Sequence, residues 1–144
     1  MELDTRDSGA GRGDPQELLV AAHSAILNAY APYSSFKVGA ALRSASGAIY
    51  TGANVENVSY PQSQCAEASA IGALVAAGER TIAAIAVVAE RVENCPPCGG
   101  CRQRLSEFAD AETPVHLGRP GGEPLTMTLG ELLPSSFGPA ELGR

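Results

Sequence analysis

An eight-residue run, Ile82 to Ala89, contains no polar residue, and it lies between two segments of helical spacing. It is too short to cross a membrane, which takes about 20 apolar residues. A strand this rich in Ile, Val and Ala must be covered on both faces. The chain therefore has to supply helices to both sides of a sheet. The surrounding pattern does so. Asp14 is a candidate N-cap before Pro15, and Leu18, Leu19, Ala22, Ile26 and Tyr30 follow at helical spacing until Pro32 ends the helix. Phe36, Val38, Ala40 and Leu42 alternate, which predicts a strand over 36–43 with those side chains on one face. A turn through Gly47 leads to a second strand over 49–55. Helices are expected over 65–77, ending at Gly78, and over 98–109. Short strands at 115–118 and 125–128, a helical turn at 129–133 and a tail from Pro134 complete the chain. The expected fold class is α/β: a three-layer α-β-α sandwich around a mixed central sheet of about five strands. Residues 1–13 read as a flexible tail and 14–144 as one catalytic domain, C-terminal tail included.

Three of the four cysteines and one glutamate carry the chemistry. Cys65 stands two residues before Glu67, and Cys98 and Cys101 form a Cys-x-x-Cys after Pro97. Cys65 and Cys98 fall at helix N-termini, where free backbone N–H groups and the helix dipole favour the thiolate that binds zinc. Cys98 and Cys101, three apart, share a helix face and can chelate one ion while Cys65 closes from the other helix. Three protein ligands leave the fourth tetrahedral position open, as in catalytic rather than structural zinc. Glu67 sits in the first turn beside the ion, placed to accept and return protons. Cys95 keeps two alternatives in play. It could close the site as a fourth thiolate, or join an iron–sulfur run, although the further cysteine such a run needs is replaced by Leu105.

A net charge of −6 and the lack of a basic stripe with interleaved aromatics argue against long nucleic acid as a partner. A small uncharged molecule is the easier substrate. The first residues contain no apolar stretch resembling a signal peptide, so a reducing cytoplasm is the expected location, and no membrane partner is expected.

Five blocks in order, APYSSFKVGAAL (31–42), TGANVENVSYP (51–61), CAE (65–67), PCGGCRQ (97–103) and LLPSSFGP (132–139), resemble the small homotetrameric cytidine deaminases of pyrimidine salvage. The resemblance implies one zinc ion per subunit. It further implies hydrolysis of cytidine and 2′-deoxycytidine to uridine and 2′-deoxyuridine, with ammonia released by zinc-bound hydroxide and a Glu67 proton shuttle. By the same resemblance Asn54 and Glu56 hold the ribose hydroxyls and Phe36 stacks on the base. Ala66 offers backbone groups to the base, Tyr60 lines a neighbouring subunit's pocket and Phe137 reaches across an interface to cover the pyrimidine. Each residue has a plainer role open to it: Asn54 and Glu56 as turn caps, Phe36 as core, Phe137 as an anchor for its own tail. One departure stands out. Many relatives carry an arginine after Cys-Ala-Glu, where this chain has Ala68, which leaves Arg102 as the expected cation beside the thiolates. Two further readings remain: a deaminase of a cytosine-containing nucleoside antibiotic, and a zinc-stabilised binding module without catalysis. His23 and His116 lack metal-ligand spacing and read as helix-boundary or surface residues.

Overall fold

The computed structural model describes residues 12–144. The flexible tail expected over 1–13 therefore lies, up to residue 11, outside the described residues. Arg12 donates from Nη1 to the Glu112 carbonyl at 3.0 Å. The elements are α1 (Pro15–Ile26), β1 (Val38–Ser44), β2 (Ile49–Ala53), α2 (Ala66–Ala76), β3 (Ile82–Ala89), α3 (Gly99–Ser106), β4 (Pro114–Leu117), β5 (Leu125–Thr128) and α4 (Leu129–Leu132). The five strands form one mixed sheet in the order β2-β1-β3-β4-β5. The apolar run is its middle strand. β3 pairs antiparallel with β1 and parallel with β4, and α3 provides the crossover that a parallel pair requires. No helix among the described residues is long and apolar enough to cross a membrane.

Alternation along β3 sends Ala84, Ala86 and Val88 to one face and Ile85 and Val87 to the other. Leu18, Leu19, Ala22 and Ile26 of α1 cover the first face. Ala70, Ile71 and Leu74 of α2, Leu105 of α3 and Leu129 and Leu132 of α4 cover the second. The three-layer sandwich follows from that division. Two glycines let helices lie flat on the sheet. A Cβ on Gly39 would stand 1.9 Å from the Ala22 carbonyl oxygen of α1, and one on Gly52 would stand 2.3 Å from the Ala70 nitrogen of α2. No side chain fits at either place.

Several boundaries differ from expectation. α1 ends at Ile26, four residues before Tyr30. The next amides tighten onto carbonyls three back, from Leu27 to Ser24, Asn28 to Ala25 and Ala29 to Ile26. Tyr30 instead bridges Val55, its amide donating to the Asn54 carbonyl and its own carbonyl accepting from Glu56. β1 begins at Val38, so Phe36 precedes the strand, and both faces of β1 are covered. β2 stops at Ala53, and α3 is shorter than expected, with Phe108 just past it yet still packed on the core. Asp14 caps α1 through the Gln16 amide, and the hairpin turns at Gly47, φ +92°.

Candidate active site

The N-termini of α2 and α3 meet beside the middle of the sheet. Cys65 is the N-cap of α2 and Cys98 of α3, and neither sulfur caps its own helix. Cys101 lies one turn along from Cys98, buried under the helix. The three sulfurs all lie within 4.8 Å of one another. Tetrahedral zinc with Zn–S bonds of about 2.3 Å places its sulfurs about 3.8 Å apart, so the trio fits that ion with little adjustment. Cys95 is not part of this trio; its thiol points to the Pro96 carbonyl, 3.7 Å away. The four-thiolate knot and the iron–sulfur run lack their extra ligand in this geometry.

The sulfurs are electrostatically unequal. Cys65 is pulled down to about 6, chiefly by a hydrogen bond from Cys101, with burial opposing and Cys98 and Arg104 assisting. Cys101 is pushed up, first by its bond toward Cys65 and then by burial. Glu67 is only 4% exposed, and burial pushes its carboxyl up. The charge on Cys65 adds to that, while its own backbone N–H, Cys101 and Arg104 pull the other way.

A cavity of about 360 Å³ opens onto this cluster, lined by Cys65, Ala66, Glu67, Cys98 and Cys95 at one end and by Phe36, Asn54, Glu56 and Ser34 at the other. Asn54 is braced by β1, its Nδ2 donating to the Phe36 carbonyl at 2.7 Å and its Oδ1 accepting from the Val38 amide at 2.9 Å. One amide hydrogen and one lone pair are left over for a ligand. Glu56 is held more tightly: Oε1 accepts from the Tyr33 and Ser34 amides at 2.9 and 3.0 Å, and Oε2 accepts from the Ser34 hydroxyl. That hydroxyl is the main reason its carboxyl sits below the ordinary value. Ser35 makes the cradle possible by adopting φ +56°, which turns the chain so that its neighbours face Glu56.

Seven of the expected site residues thus line one cavity: Phe36, Asn54, Glu56, Cys65, Ala66, Glu67 and Cys98. Cys101 lies behind, on the sulfur trio. Tyr60 stands outside, 70% exposed, edge-on to Tyr33 with ring centroids 5.7 Å apart, over a shallower hollow shared with Ser34 and Glu56. Phe137 lies elsewhere, 58% exposed beside α3 and α4, with its carbonyl bonded to Gln103 Nε2. Arg102 does not serve the sulfurs. Its Nε donates to the Pro97 carbonyl and its Nη1 to the Leu132 carbonyl, both at 2.7 Å, so it ties the approach to Cys98 to α4. The guanidinium at sulfur belongs to Arg104, whose Nη1 is 4.0 Å from Cys101 Sγ. Sequence reading missed Arg104 and Ser34. Arg104 was findable, three residues past a ligand on one helix face. Ser34 was not, because the turn at Ser35 that aims it leaves no mark in composition.

A family profile for the cytidine and deoxycytidylate deaminase zinc-binding region matches residues 13–117. The chain belongs to this deaminase family. A cytidine deaminase of Halalkalibacterium halodurans is 45% identical over 86% of this chain and 94% of its own length. The Mycobacterium tuberculosis cytidine deaminase is 42% identical over 85% of this chain and 89% of its own. Among solved structures, the cytidine deaminase of Burkholderia pseudomallei superposes with a TM-score of 0.81 at 43% identity, covering 87% of this chain and all of that one (100%). The crystal structure of the M. tuberculosis enzyme gives a TM-score of 0.79 at 40% identity, covering 88% of this chain and 98% of that one. In this deaminase the zinc-binding region of the family and the sulfur trio coincide.

Proposed function

We propose that this protein hydrolytically deaminates cytidine and 2′-deoxycytidine, releasing ammonia and leaving uridine and 2′-deoxyuridine. One observation carries the reading: Glu67 and the thiol cluster open into the same cavity as a pinned carboxylate, a braced amide and an aromatic ring. Cys65, Cys98 and Cys101 are the zinc ligands, and zinc bound there supplies a Lewis acid that makes water nucleophilic near neutral pH. Glu67 accepts the proton of the attacking water and delivers it to N3 of the base. With the water oxygen bonded to C4, Glu67 takes the remaining proton from that hydroxyl and passes it to the amino group, and the C4–N bond breaks to release ammonia. Burial suits Glu67 to this work, because it raises the carboxyl above its ordinary value and so makes the carboxylate a stronger proton acceptor than an exposed one.

Phe36 stacks on the base, the Ala66 backbone contacts it, and Asn54 and Glu56 take the ribose hydroxyls with their leftover lone pairs and hydrogen. A single deaminase domain spanning 14–144 carries these groups. Tyr60 and Phe137 act in a homotetramer, each on a neighbouring subunit's site. The wide exposure of Tyr60, Phe137 and Val58 supports that arrangement. The four cysteines form no disulfide, which suits a reducing cytoplasm, and action on free nucleosides suits a role in pyrimidine salvage.

Ammonia release by zinc-loaded protein tests the reading on three substrates: cytidine, deoxycytidine and a cytosine-bearing nucleoside antibiotic. Turnover of the first two supports it. Turnover of the antibiotic alone would reassign the substrate, and none with any of the three would leave a zinc-stabilised binding module.

A further inference from the structure

Three thiolates around a divalent ion carry one excess negative charge, and ionised Glu67 beside them adds a second. The N-termini of α2 and α3 offset part of this. The first turn of α2 offers only Ala66, Glu67, Ala68 and Ser69, none of them cationic. On the α3 side Arg102 is committed to the Pro97 and Leu132 carbonyls. Arg104 is placed differently. It lies one turn past Cys101, and its side chain folds back toward the start of the helix. Nη1 comes to 4.0 Å from Cys101 Sγ and 3.5 Å from where a Cβ on Gly100 would stand. No hydrogen bond or ion pair among the described residues ties Arg104 to a carboxylate.

We propose that Arg104 is the charge-balancing residue of the metal centre, donating to the Cys101 thiolate and so restraining the electron density that sulfur gives the ion. It acts through Cys101 and touches no reacting atom, so it is a positioning residue. A hydrogen-bonded thiolate is a weaker electron donor, which keeps the ion a stronger Lewis acid and the sulfur a poorer nucleophile. The two helices offer equivalent places for such a cation. Ala68 stands three residues past Cys65, as Arg104 stands three past Cys101, and residues three apart share a helix face. The vacancy at Ala68 is filled from the other helix.

The proposal rests on the metal-site reading but not on turnover, so its tests use two readouts that need no substrate. In the cobalt-substituted protein, Arg104→Met moves the sulfur-to-cobalt charge-transfer band to longer wavelength, because the Cys101 thiolate has lost its donor. In the zinc protein, N-ethylmaleimide, an uncharged electrophile, releases zinc several-fold faster from Arg104→Met than from wild type, with kcat/KM lower by on the order of tenfold. Arg104→Lys restores part of both, and Ala68→Arg in the Arg104→Met background restores the release rate from the other helix. An unmoved band together with an unchanged release rate in folded, metal-loaded Arg104→Met overturns the proposal. If Arg104→Met cannot hold metal, recovery of binding in the Ala68→Arg double variant upholds it and failure to recover overturns it. Loss of deamination with both readouts behaving as described would count against the proposed substrate and leave Arg104 in place.

Discussion

At the floor of the cavity, Cys65, Cys98, Cys101 and Glu67 come from two helix ends fixed by the core. Glu67 and Cys101 are buried, and every group there finds its partner within one chain. At the rim, Tyr33, Tyr60, Val55 and Val58 are exposed, and Phe137, the residue that resemblance would put over the base, lies on another side of the domain. The floor is complete in one chain, and the proposed homotetramer would complete the rim. Chemistry needs sub-ångström placement, which only packed elements supply. Coverage of the base tolerates more slack, and a neighbouring subunit can provide it. Loss at the floor should therefore appear in turnover, and loss at the rim in binding.

The largest effect expected is at the floor. Glu67→Gln should keep one zinc per chain and a near-normal KM while kcat falls by about 10²–10⁴-fold, the contribution of a positioned acid–base. Metal analysis beside steady-state kinetics checks this, and a large change in KM with kcat intact would erase the distinction between floor and rim. Next comes the support beneath the floor. Gly52→Ala puts a methyl 2.3 Å from the Ala70 nitrogen, so α2 must lift, carrying Cys65 and Glu67 with it. Denaturant unfolding should show a loss of about 1–3 kcal/mol, the usual cost of overpacking, and activity should fall along with stability. Activity untouched by that shift would mean that the floor is less rigid than its packing implies.

At the rim, Phe137→Ala should raise KM about tenfold, the scale of one lost aromatic contact. Zinc content and kcat should stay near wild type. A fall in kcat without a change in KM would move Phe137 to the floor. The smallest effect lies away from both regions and separates acid damage to the fold from acid effects on the site. His116, expected at a boundary or the surface, is instead buried in β4 at 6% exposure, its Nδ1 2.8 Å from the Thr126 hydroxyl, and burial holds its pKa below the ordinary 6.5. The folded state resists the proton that the unfolded chain accepts. Its contribution to stability is therefore full above pH 6.5 and is lost as pH falls through the lower folded value. Melting temperature should drop less steeply below pH 6.5 in His116→Asn than in wild type, and parallel curves would show that His116 is not the group responsible.

Sequence alone determined the sandwich, the middle strand, the sulfur trio and Glu67. An apolar run leaves a strand no choice but burial on both faces, and ligands one turn apart on a helix converge whatever surrounds them. Helix ends were less legible: the spacing that carried α1 on to Tyr30 says nothing of the bridge to Val55 that pulls Tyr30 away. Only the tertiary structure decided that Arg102 is taken up by two backbone carbonyls, and that Ser34 pins Glu56. Spacing puts Arg104 on the helix face of Cys101, but it does not say where Arg102 goes, which depends on the carbonyls within its reach. One of them, the Leu132 carbonyl, comes from 30 residues further along the chain, and local spacing cannot foresee where it arrives.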